Sequence, residues 1–495
     1  MIRRLLIANR GEIALRIIRA CRELHIETVA VFSDADAKTP HVAAADHAVA
    51  LGPAQASESY LSIPKLIAAA HAEGADAVHP GYGFLAESAA FAAACEQAEL
   101  TFVGPPSDVI ARMGSKIEAR RLMASAGVPV VPGETSDDQS DHGLEKALAR
   151  VGFPALVKAS AGGGGKGMRE VRDWAEGLEA IQSARREATA AFGDGTLYVE
   201  RLIDRPRHVE VQIFADHHGG VTHLFERECS VQRRHQKVIE ESPSPALTPA
   251  VRARMAEAAV AAARAAGYRN AGTIEFLLEG DADAATFYFL EMNTRLQVEH
   301  AVTEAVAGVD LVHAQLLVAS GEPLPWPEGS LTQRGHAIEA RIYAEDPARD
   351  FLPQAGPLLL YREPRVPGVR VDAGVAEGGE VPVHYDPMLA KVIALGENRD
   401  VALARLVAAL RDYPILGVRT NIAFLIGVLE HPRFRAGDVD TGFLDREVFA
   451  NISAELPGFL LEAIQKIDVS PRAGLEARSP EPEADPWATL RGWRS

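Results

Sequence analysis

Two apolar runs separated by a polar stretch, within residues 273–299, place the strongest constraint on the fold of this 495-residue chain. Their composition predicts two antiparallel strands joined by a hairpin, and pairing symmetric about Asp283 would set Glu275 directly opposite Glu291. Opposed like charges destabilise a strand pair unless something lies between them. Because Mg²⁺ is commonly held by one or two carboxylates, this pair predicts a site for a hard divalent cation.

The second of these strands is predicted to carry a polar face. Strand side chains alternate between two faces, and polar residues recur here at every second position: Glu291, Asn293, Arg295, Gln297 and Glu299. Met292, Leu296 and Val298 would point to the opposite face. The pattern indicates a functional site, and the solvated outer face of an antiparallel sheet is the alternative.

Length, charge and cysteine spacing restrict the class of protein. A chain of 495 residues predicts about three domains, and a net charge of −17 disfavours a nucleic-acid-binding protein, which needs concentrated Lys and Arg. Cys21, Cys95 and Cys229 have neither disulfide nor zinc spacing, which favours a reducing, cytoplasmic location. The apolar run at residues 5–8 is too short for a signal peptide, and no stretch approaches the roughly 20 apolar residues of a membrane span.

Residues 1–112 alternate short apolar runs with helical patterns. That order predicts an α/β domain with a doubly wound parallel sheet, which begins with a strand near Leu5 and a helix near Gly11. The loop 79–84 follows a predicted strand, at the edge where open α/β sheets place their ligands. A plain turn explains its glycines equally well.

A glycine-rich stretch at residues 162–167 lies between two predicted strands, 155–159 and 168–171. A Rossmann fingerprint would open a helix at once, and a Walker A loop would continue with Lys and Ser or Thr, so neither fits. The remaining interpretation is a flap whose backbone N–H groups wrap a polyphosphate, with Lys158 and Lys166 nearby. A plain surface loop is the alternative.

Three further polar patterns admit two interpretations each. One face of the strand predicted over residues 208–213 combines a histidine, a carboxylate and an amide, which suits either a site or a structural role. Residues 226–241 concentrate cations in an acidic chain, as a solvated face or as an anion site. Arg341 lies on another predicted strand, where it would be an always-charged donor to a cleft.

Taken together, six phrases closely resemble biotin carboxylase, an ATP-grasp enzyme, in that family's order. They are residues 7–14 (IANRGEIA), 79–85 (HPGYGFL), 158–168 (KASAGGGGKGM), 233–237 (RRHQK), 291–300 (EMNTRLQVEH) and 341–347 (RIYAEDP). Ala301 departs from the pattern, since many members have proline there. The phrases over 338–347 and 385–391 (YDPMLAK) look like the α subunits of biotin-dependent acyl-CoA carboxylases.

The resemblance implies an α/β and α+β multidomain fold with three parts. Residues 1–112 would form the N-terminal, doubly wound pre-ATP-grasp domain. Residues 113–330 would form the ATP-grasp domain, with a flap subdomain over about 131–203. Residues 331–446 would form the C-terminal biotin carboxylase domain. Residues 447–495 would be a tail or linker, rich in Pro, Ser and acidic residues over 470–487, or the start of a carrier region.

The implied reaction converts ATP, bicarbonate and biotin on a carrier to ADP, phosphate and carboxybiotin. By similarity, Glu275 and Glu291 hold Mg²⁺ or Mn²⁺, with Asn293 alongside. The metal would neutralise phosphate charge during transfer. The positions that match nucleotide-contacting residues are Lys116, Lys158, Gly163, Gly164, Gly165, Gly167, Glu200, Leu202, His208, Gln232 and His235.

The resemblance also implies roles in carboxyl transfer. The positions that match bicarbonate-binding residues are Lys237, Arg295, Gln297 and Val298. Glu299 matches the base that deprotonates bicarbonate, which would then attack the γ-phosphate to give carboxyphosphate. Arg341 would stabilise the oxyanion of the deprotonated biotin ureido group, and Tyr82 matches a position close to that group.

The family's assembly implies partners: a biotin carboxyl carrier domain or protein, a carboxyltransferase β subunit and a second copy in a homodimer. No A-M-K-M biotinylation phrase occurs in the sequence, so biotin is expected as a substrate presented by another chain or supplied free. Neither a nucleic acid nor a membrane is an expected partner. Two alternatives stay open: another ATP-grasp carboxylate ligase, and a catalytically silent scaffold subunit.

Overall fold

The computed structural model describes residues 1–160, 167–327 and 329–449 of the chain. Its first portion is a five-stranded parallel sheet with strand order β3-β2-β1-β4-β5. The elements are β1 (Arg4–Ile7), α1 (Gly11–Glu23), β2 (Glu27–Ser33), α2 (Pro40–Ala44), β3 (His47–Gly52), α3 (Ile63–Ala72), β4 (Ala77–His79), α4 (Ala89–Gln97), β5 (Thr101–Phe102) and α5 (Ser107–Gly114).

The doubly wound sheet predicted for the first portion is confirmed. Leu5, Leu6 and Ile7 of β1 are fully buried, because helices cover both faces of a parallel sheet and its central strands are apolar throughout. The loop 79–84 leaves the carboxyl end of β4, as predicted. This edge of the sheet faces the rest of the molecule, since the Ser33 hydroxyl at the end of β2 pairs with the Tyr385 hydroxyl.

The second portion is a small antiparallel sheet, with strand order β6-β9-β7-β8, covered by two helices. The elements are α6 (Lys116–Ser125), β6 (Gly133–Glu134), α7 (Asp141–Val151), β7 (Ala155–Ala159), β8 (Met168–Val171), α8 (Trp174–Phe192) and β9 (Leu197–Arg201). The strands predicted on both sides of the glycine-rich stretch are confirmed. Gly163, Gly164, Gly165 and Lys166, on which the flap prediction rests, lie outside the described residues.

The third portion is an eight-stranded antiparallel sheet with order β14-β13-β10-β11-β12-β15-β22-β20. Its first elements are β10 (Arg207–Ala215), β11 (Val221–Arg233), β12 (Gln236–Ser242), α9 (Pro249–Ala266), β13 (Asn270–Glu279), β14 (Thr286–Asn293), α10 (His300–Ala307) and α11 (Leu311–Ala319). The sheet continues across residue 330 by pairing β12 with β15, so the domain limits drawn from the sequence stay a prediction.

The remaining elements complete that sheet and pack on it. They are β15 (His336–Tyr343), β16 (Glu345–Asp346), β17 (Leu352–Pro353), β18 (Gly356–Pro357), β19 (Leu360–Tyr361), β20 (Val369–Ala373), β21 (Glu380–Val381), β22 (Met388–Gly396), α12 (Arg399–Arg411), β23 (Ile415–Leu416), α13 (Ile422–Glu430), α14 (Pro432–Arg435) and α15 (Phe443–Arg446). Ile338 and Ile342 of β15 face the apolar core beneath α12 and α13. Strand alternation therefore turns Arg341 to the opposite face, as predicted.

The hairpin register predicted for residues 273–299 is confirmed at the paired glutamates. Glu275 of β13 pairs with Glu291 of β14, and Thr273 pairs with Asn293. Beyond this point the register slips by one, because Leu290 forms a β-bulge. The turn-side half of the hairpin is therefore offset from the predicted symmetry.

The predicted continuation of β14 to Glu299 is wrong. The strand ends at Asn293, and residues 294–299 form a loop that leads into α10. The Thr294 N–H donates to the Glu87 carboxylate, 3.2 Å away, instead of to a strand partner. The period-two pattern of polar residues in this segment is therefore not that of a strand, since Leu296, Gln297 and Glu299 are all buried.

Within the described part of the chain, no single helix is long and apolar enough to cross a membrane. The pair His300–Ala307 and Leu311–Ala319 meets that criterion of length and composition only when the two helices are joined across a 98° bend. All three cysteines are buried and free.

Candidate active site

The centre of the site is Lys237, which lies on β12 and faces three glutamates. Its ammonium donates to Glu275 and Glu299, each 2.7 Å away, and to Glu210 of β10. Burial acts to lower the pKa of Lys237, but the three carboxylates outweigh it and raise that pKa well above the usual value. The lysine therefore stays charged in a buried acidic cluster.

Glu299 also contacts Arg341. The Arg341 Nη2 atom donates to Glu299 across 2.9 Å, while Nε donates to Glu240 of β12 across 2.6 Å. Burial alone would raise the pKa of Glu299, but Lys237 and Arg341 hold it well below its ordinary value. Burial raises the pKa of Glu240 to about 7, against the opposing effect of Arg341. Glu299 is thus an ionised carboxylate at neutral pH, as a base must be.

The paired glutamates of the hairpin lie beside this cluster. Lys116, the first residue of α6, lies 3.5 Å from Glu291, and the His208 imidazole lies 3.2 Å from Glu275. The Asn293 Nδ2 atom is buried without a hydrogen-bond partner among the described residues. Two opposed carboxylates and a neighbouring buried amide supply oxygen donors suited to Mg²⁺ or Mn²⁺, so these residues fit a divalent cation.

Arg295 and Gln297 extend the cluster from the loop before α10. Arg295 donates to Gln297 at 2.8 Å, to Asn293 at 3.2 Å and to Glu87 at 3.0 Å. Gln297 in turn donates to Glu275 across 3.4 Å. The loop thus brings together the side chains that the sequence assigned to one strand face, although the backbone is different.

The predicted nucleotide residues of the second portion form their own group. Lys158 of β7 donates to Glu200 of β9 at 3.0 Å, and Arg120 donates to the other Glu200 oxygen at 2.6 Å. The carboxylate keeps the pKa of Lys158 raised although burial acts to lower it. Leu202 follows β9, and Gly167 adopts a φ of 70°, a left-handed conformation that favours glycine.

The cationic residues of 226–241 lie on β11, on β12 and on the turn that joins them. Gln232 is buried and pairs with Lys237, whereas His235 is exposed at the turn. Arg234, also at the turn, pairs with Asp350 on the surface. Arg227 is fully buried and donates to Glu210. The solvated interpretation is therefore right for the turn and wrong for the buried strands.

Tyr82 reaches the site from the first portion. Its hydroxyl donates to Glu12 of α1. Burial and the Glu12 charge raise the pKa of the Tyr82 phenol well above its usual value, while Arg341 acts in the opposite direction. The phenol is therefore a neutral hydrogen-bonding group close to the Arg341 guanidinium.

Several contacts of these residues were missed from the sequence. Glu240 and Glu87 bind the two predicted arginines, and Arg120 binds Glu200. Glu210 was placed on a polar strand face but received no role. Its signal was the period-two alternation, whereas Glu87 and Arg120 come from distant segments and leave no local pattern.

Three family models match successive parts of the chain. They are "Biotin carboxylase, N-terminal domain" over residues 1–110, "Carbamoyl-phosphate synthase L chain, ATP binding domain" over 115–326 and "Biotin carboxylase C-terminal domain" over 339–446. Together they cover most of the chain.

Curated relatives and solved structures give the same result. Biotin carboxylase of Halalkalibacterium halodurans is 49% identical over 444 residues, 90% of this chain and 97% of that protein. The α subunit of mitochondrial methylcrotonoyl-CoA carboxylase from Rattus norvegicus is 50% identical, and the match spans 62% of its length. A biotin carboxylase structure from Campylobacter jejuni, a β-γ-ATP complex, has a TM-score of 0.87 at 43% identity, covering 90% of this chain and 99% of that one.

A second structure is the biotin carboxylase domain dimer of 2-oxoglutarate carboxylase from Hydrogenobacter thermophilus. It contains Mg-ADP, ADP and bicarbonate, and it matches with a TM-score of 0.86 at 42% identity over 90% of this chain and 97% of that one. The matched ATP-binding domain, between two further matched domains, places the chain in the ATP-grasp class. Within that class, the chain belongs to the biotin carboxylase family.

Proposed function

We propose that this chain catalyses ATP-dependent carboxylation of biotin on a carrier, with bicarbonate as the carboxyl donor and carboxyphosphate as the intermediate. The observation that carries the proposal is the convergence of Lys237, Glu299 and Arg341 beside the Glu275–Glu291 pair. An ionised buried base, fixed cations and a carboxylate pair are what phosphoryl transfer to bicarbonate requires. Positioning and electrostatics supply most of the rate in such reactions.

We assign the nucleotide to the space between the small sheet and the first strands of the large sheet. Lys116 and Lys158 would bind phosphates, while Glu200 and Leu202 would lie at the adenine end. Lys158 is held by Glu200, which fixes its ammonium before any phosphate arrives. His208, Gln232 and His235 belong to the same proposed set, together with Gly163, Gly164, Gly165 and Gly167 of the flap.

Glu275, Glu291 and Asn293 would hold Mg²⁺ or Mn²⁺. When bound, the ion would neutralise phosphate charge and orient the γ-phosphate. The Lys116 ammonium lies 3.5 Å from Glu291 and can turn toward a phosphate on its flexible stem.

Bicarbonate would bind between the cationic side chains at the end of the cluster away from Glu291. Lys237, Arg295 and Gln297 supply N–H donors, and Val298 precedes the base in the same loop. Glu299 would take the bicarbonate proton: the bicarbonate O–H bond breaks and an O–H bond forms on the carboxylate. The resulting carbonate oxygen attacks the γ-phosphorus, and ADP leaves.

Carboxyphosphate would then release CO₂ and phosphate next to biotin. Phosphate would take the ureido proton, while Arg341 stabilises the resulting oxyanion by charge-assisted hydrogen bonds. Arg341 is held by Glu240 and Glu299, so the guanidinium is oriented before biotin binds. The neutral Tyr82 phenol would contact the same ureido group.

We further propose that this activity is the first half-reaction of an acyl-CoA carboxylase. The partners would be a biotin carrier domain and a carboxyltransferase β subunit, which selects the acyl-CoA, and a second copy would form a homodimer. Support comes from the 50% identity to methylcrotonoyl-CoA carboxylase α subunits, of whose length the match spans about 62%. The cytoplasm stays our predicted location.

The decisive test is ADP release from the purified chain with Mg-ATP, with bicarbonate and free biotin each present or omitted. The proposal expects release that depends on both. Release independent of bicarbonate would favour a different ATP-grasp ligase, and nucleotide binding without turnover would favour a silent scaffold.

A further inference from the structure

The phrase YDPMLAK at residues 385–391 has no role in the reaction described above, yet its two ends contact other portions of the chain. At its first residue, the Tyr385 hydroxyl donates to the Ala54 carbonyl at 2.5 Å and pairs with the Ser33 hydroxyl at 2.6 Å. The Arg10 guanidinium lies 4.5 Å from the centre of the Tyr385 ring. The phrase therefore begins on the carboxyl edge of the first sheet.

Its last residue, Lys391, is fully buried on β22, between Arg341 of β15 and Asp372 of β20. The Lys391 ammonium donates to the backbone carbonyl of Val298 at 2.6 Å. It also lies 3.4 Å from the Glu12 carboxylate at the start of α1. One ammonium thus touches the loop before Glu299 and the first helix of the chain.

Glu12 extends this connection to the substrate side of the site, because it also accepts the Tyr82 hydroxyl. Burial acts to lower the pKa of Lys391, and the carboxylates of Glu12, Glu339 and Asp372 outweigh it and raise that pKa. The lysine therefore remains a charged donor. Hydrogen bonds from charged donors are roughly twice as strong as neutral ones.

We propose that Lys391 is a positioning residue whose ammonium fixes the Val298 carbonyl, and with it the loop 295–299, against the strand that presents Arg341. This inference rests on the proposed function of that loop in bicarbonate binding. The Val298 carbonyl belongs to the peptide bond that joins Val298 to Glu299. Its orientation therefore determines the position of the Glu299 backbone, from which the base extends. A misplacement of about 1 Å at a reacting group costs about 100-fold in rate.

The test is Lys391→Met, which keeps a side chain of similar length and removes the donor and its charge. We expect the bicarbonate KM to rise about tenfold or more, while the Kd for Mg-ATP, measured by calorimetry, stays within twofold. Lys65→Met controls for the loss of a lysine bond to a backbone carbonyl alone, because the exposed Lys65 donates to the Leu51 carbonyl at 2.7 Å. It should change neither constant.

An unchanged bicarbonate KM in Lys391→Met would overturn the inference, and so would equal increases in the bicarbonate KM and the Mg-ATP Kd. If the methionine variant does not fold, Lys391→Arg decides. Its larger head group keeps the charge but displaces the Val298 carbonyl, so the bicarbonate KM should rise severalfold, and a wild-type value would contradict the proposal. Absence of bicarbonate-dependent ADP release in the wild-type chain would instead overturn the proposed function.

Discussion

The two ends of the acidic cluster are built differently. At the metal end, defined by Glu275, Glu291 and Asn293, the Glu291 side chain is 35% exposed and its cationic neighbour Lys116 is 3.5 Å away. At the proton end, defined by Glu299, Glu240 and Arg341, the two carboxylates are fully buried and the arginine is 8% exposed.

This difference indicates that the protein itself supplies the partners of the charged groups at the proton end, whereas a ligand must supply some of them at the metal end. Fixed partners hold the proton end in place before substrate arrives, which lowers the cost of reorganisation during reaction. At the metal end Glu275 is held by Lys237 and the Asn293 oxygen accepts from Arg295, but the Glu291 carboxylate stays accessible and the Asn293 Nδ2 atom has no hydrogen-bond partner among the described residues. Substitutions at the proton end should therefore affect turnover, and those at the metal end should affect binding.

The largest effect is expected from Glu299→Gln. The amide cannot accept the bicarbonate proton, and loss of a general base typically costs 10²–10⁴-fold, so kcat for carboxylation should fall about 1,000-fold. The Kd for Mg-ATP should stay within about threefold because the metal end is intact. Glu279→Gln, at the far end of β13, is the control. A large loss of nucleotide binding would place Glu299 at the metal end and remove the distinction.

Arg341→Lys should produce the next largest effect. Lysine keeps the charge but not the planar fork that bonds Glu240 and Glu299 together, so biotin-dependent turnover should fall about 100-fold. Mg-ATP binding should change little. Arg234→Lys, at the exposed pair with Asp350, controls for the chemistry of the substitution. Equal losses in biotin turnover and nucleotide binding would contradict the assigned role.

Glu291→Gln should act through metal affinity. Removing one carboxylate of the pair should raise the Mg²⁺ concentration for half-maximal activity about tenfold, and kcat at saturating Mg²⁺ should recover to within a few-fold of wild type. Titration of ADP release against Mg²⁺ measures both. Failure of kcat to recover at any Mg²⁺ concentration would show that Glu291 acts in turnover as well.

The smallest effect concerns the pH dependence of stability at the proton end. The pKa of Glu240 is raised by burial from 4.5 to about 7, so the folded chain binds this proton more tightly than the unfolded chain does. Its contribution to stability is complete below pH 4.5 and is lost as pH rises through about 7.

Glu240→Gln keeps a neutral group at every pH, so its urea midpoint should fall less than that of wild type between pH 5 and about 7.5. The exposed Glu380→Gln should follow wild type. A parallel course for Glu240→Gln and wild type would mean that Glu240 is ionised throughout this range.

Local sequence patterns predicted most of the helices and strands and one residue pairing within the site. The opposition of Glu275 and Glu291 followed from hairpin symmetry, because a hairpin relates residues that are close in sequence. The bulge at Leu290 left no comparable signal, since Leu290 lies within an apolar run. The predicted strand register was therefore right at the paired glutamates. Between the bulge and the turn, it was wrong by one residue.

The convergence on Lys237 could be reached only through the family resemblance. Lys237 lies on β12, two strands from Glu210 and three from Glu275 in the sheet order, and periodicity does not encode that order. The loop 294–299 was taken for a strand because its polar residues recur at every second position, a spacing that is typical of a strand. Glu87 and Lys391 belong to distant segments, so their contacts needed the tertiary structure.

An ammonium has three N–H bonds, and Glu210, Glu275 and Glu299 accept all three from Lys237. An anion that binds to this lysine must therefore exchange with a carboxylate instead of occupying a free donor. The free energy of anion binding is then the difference between the bond that the lysine gains with the anion and the bond that it loses with the carboxylate. Because these two bonds are similar, we expect a small anion to bind weakly, in the millimolar range. Selectivity then depends on which anion makes the better exchange.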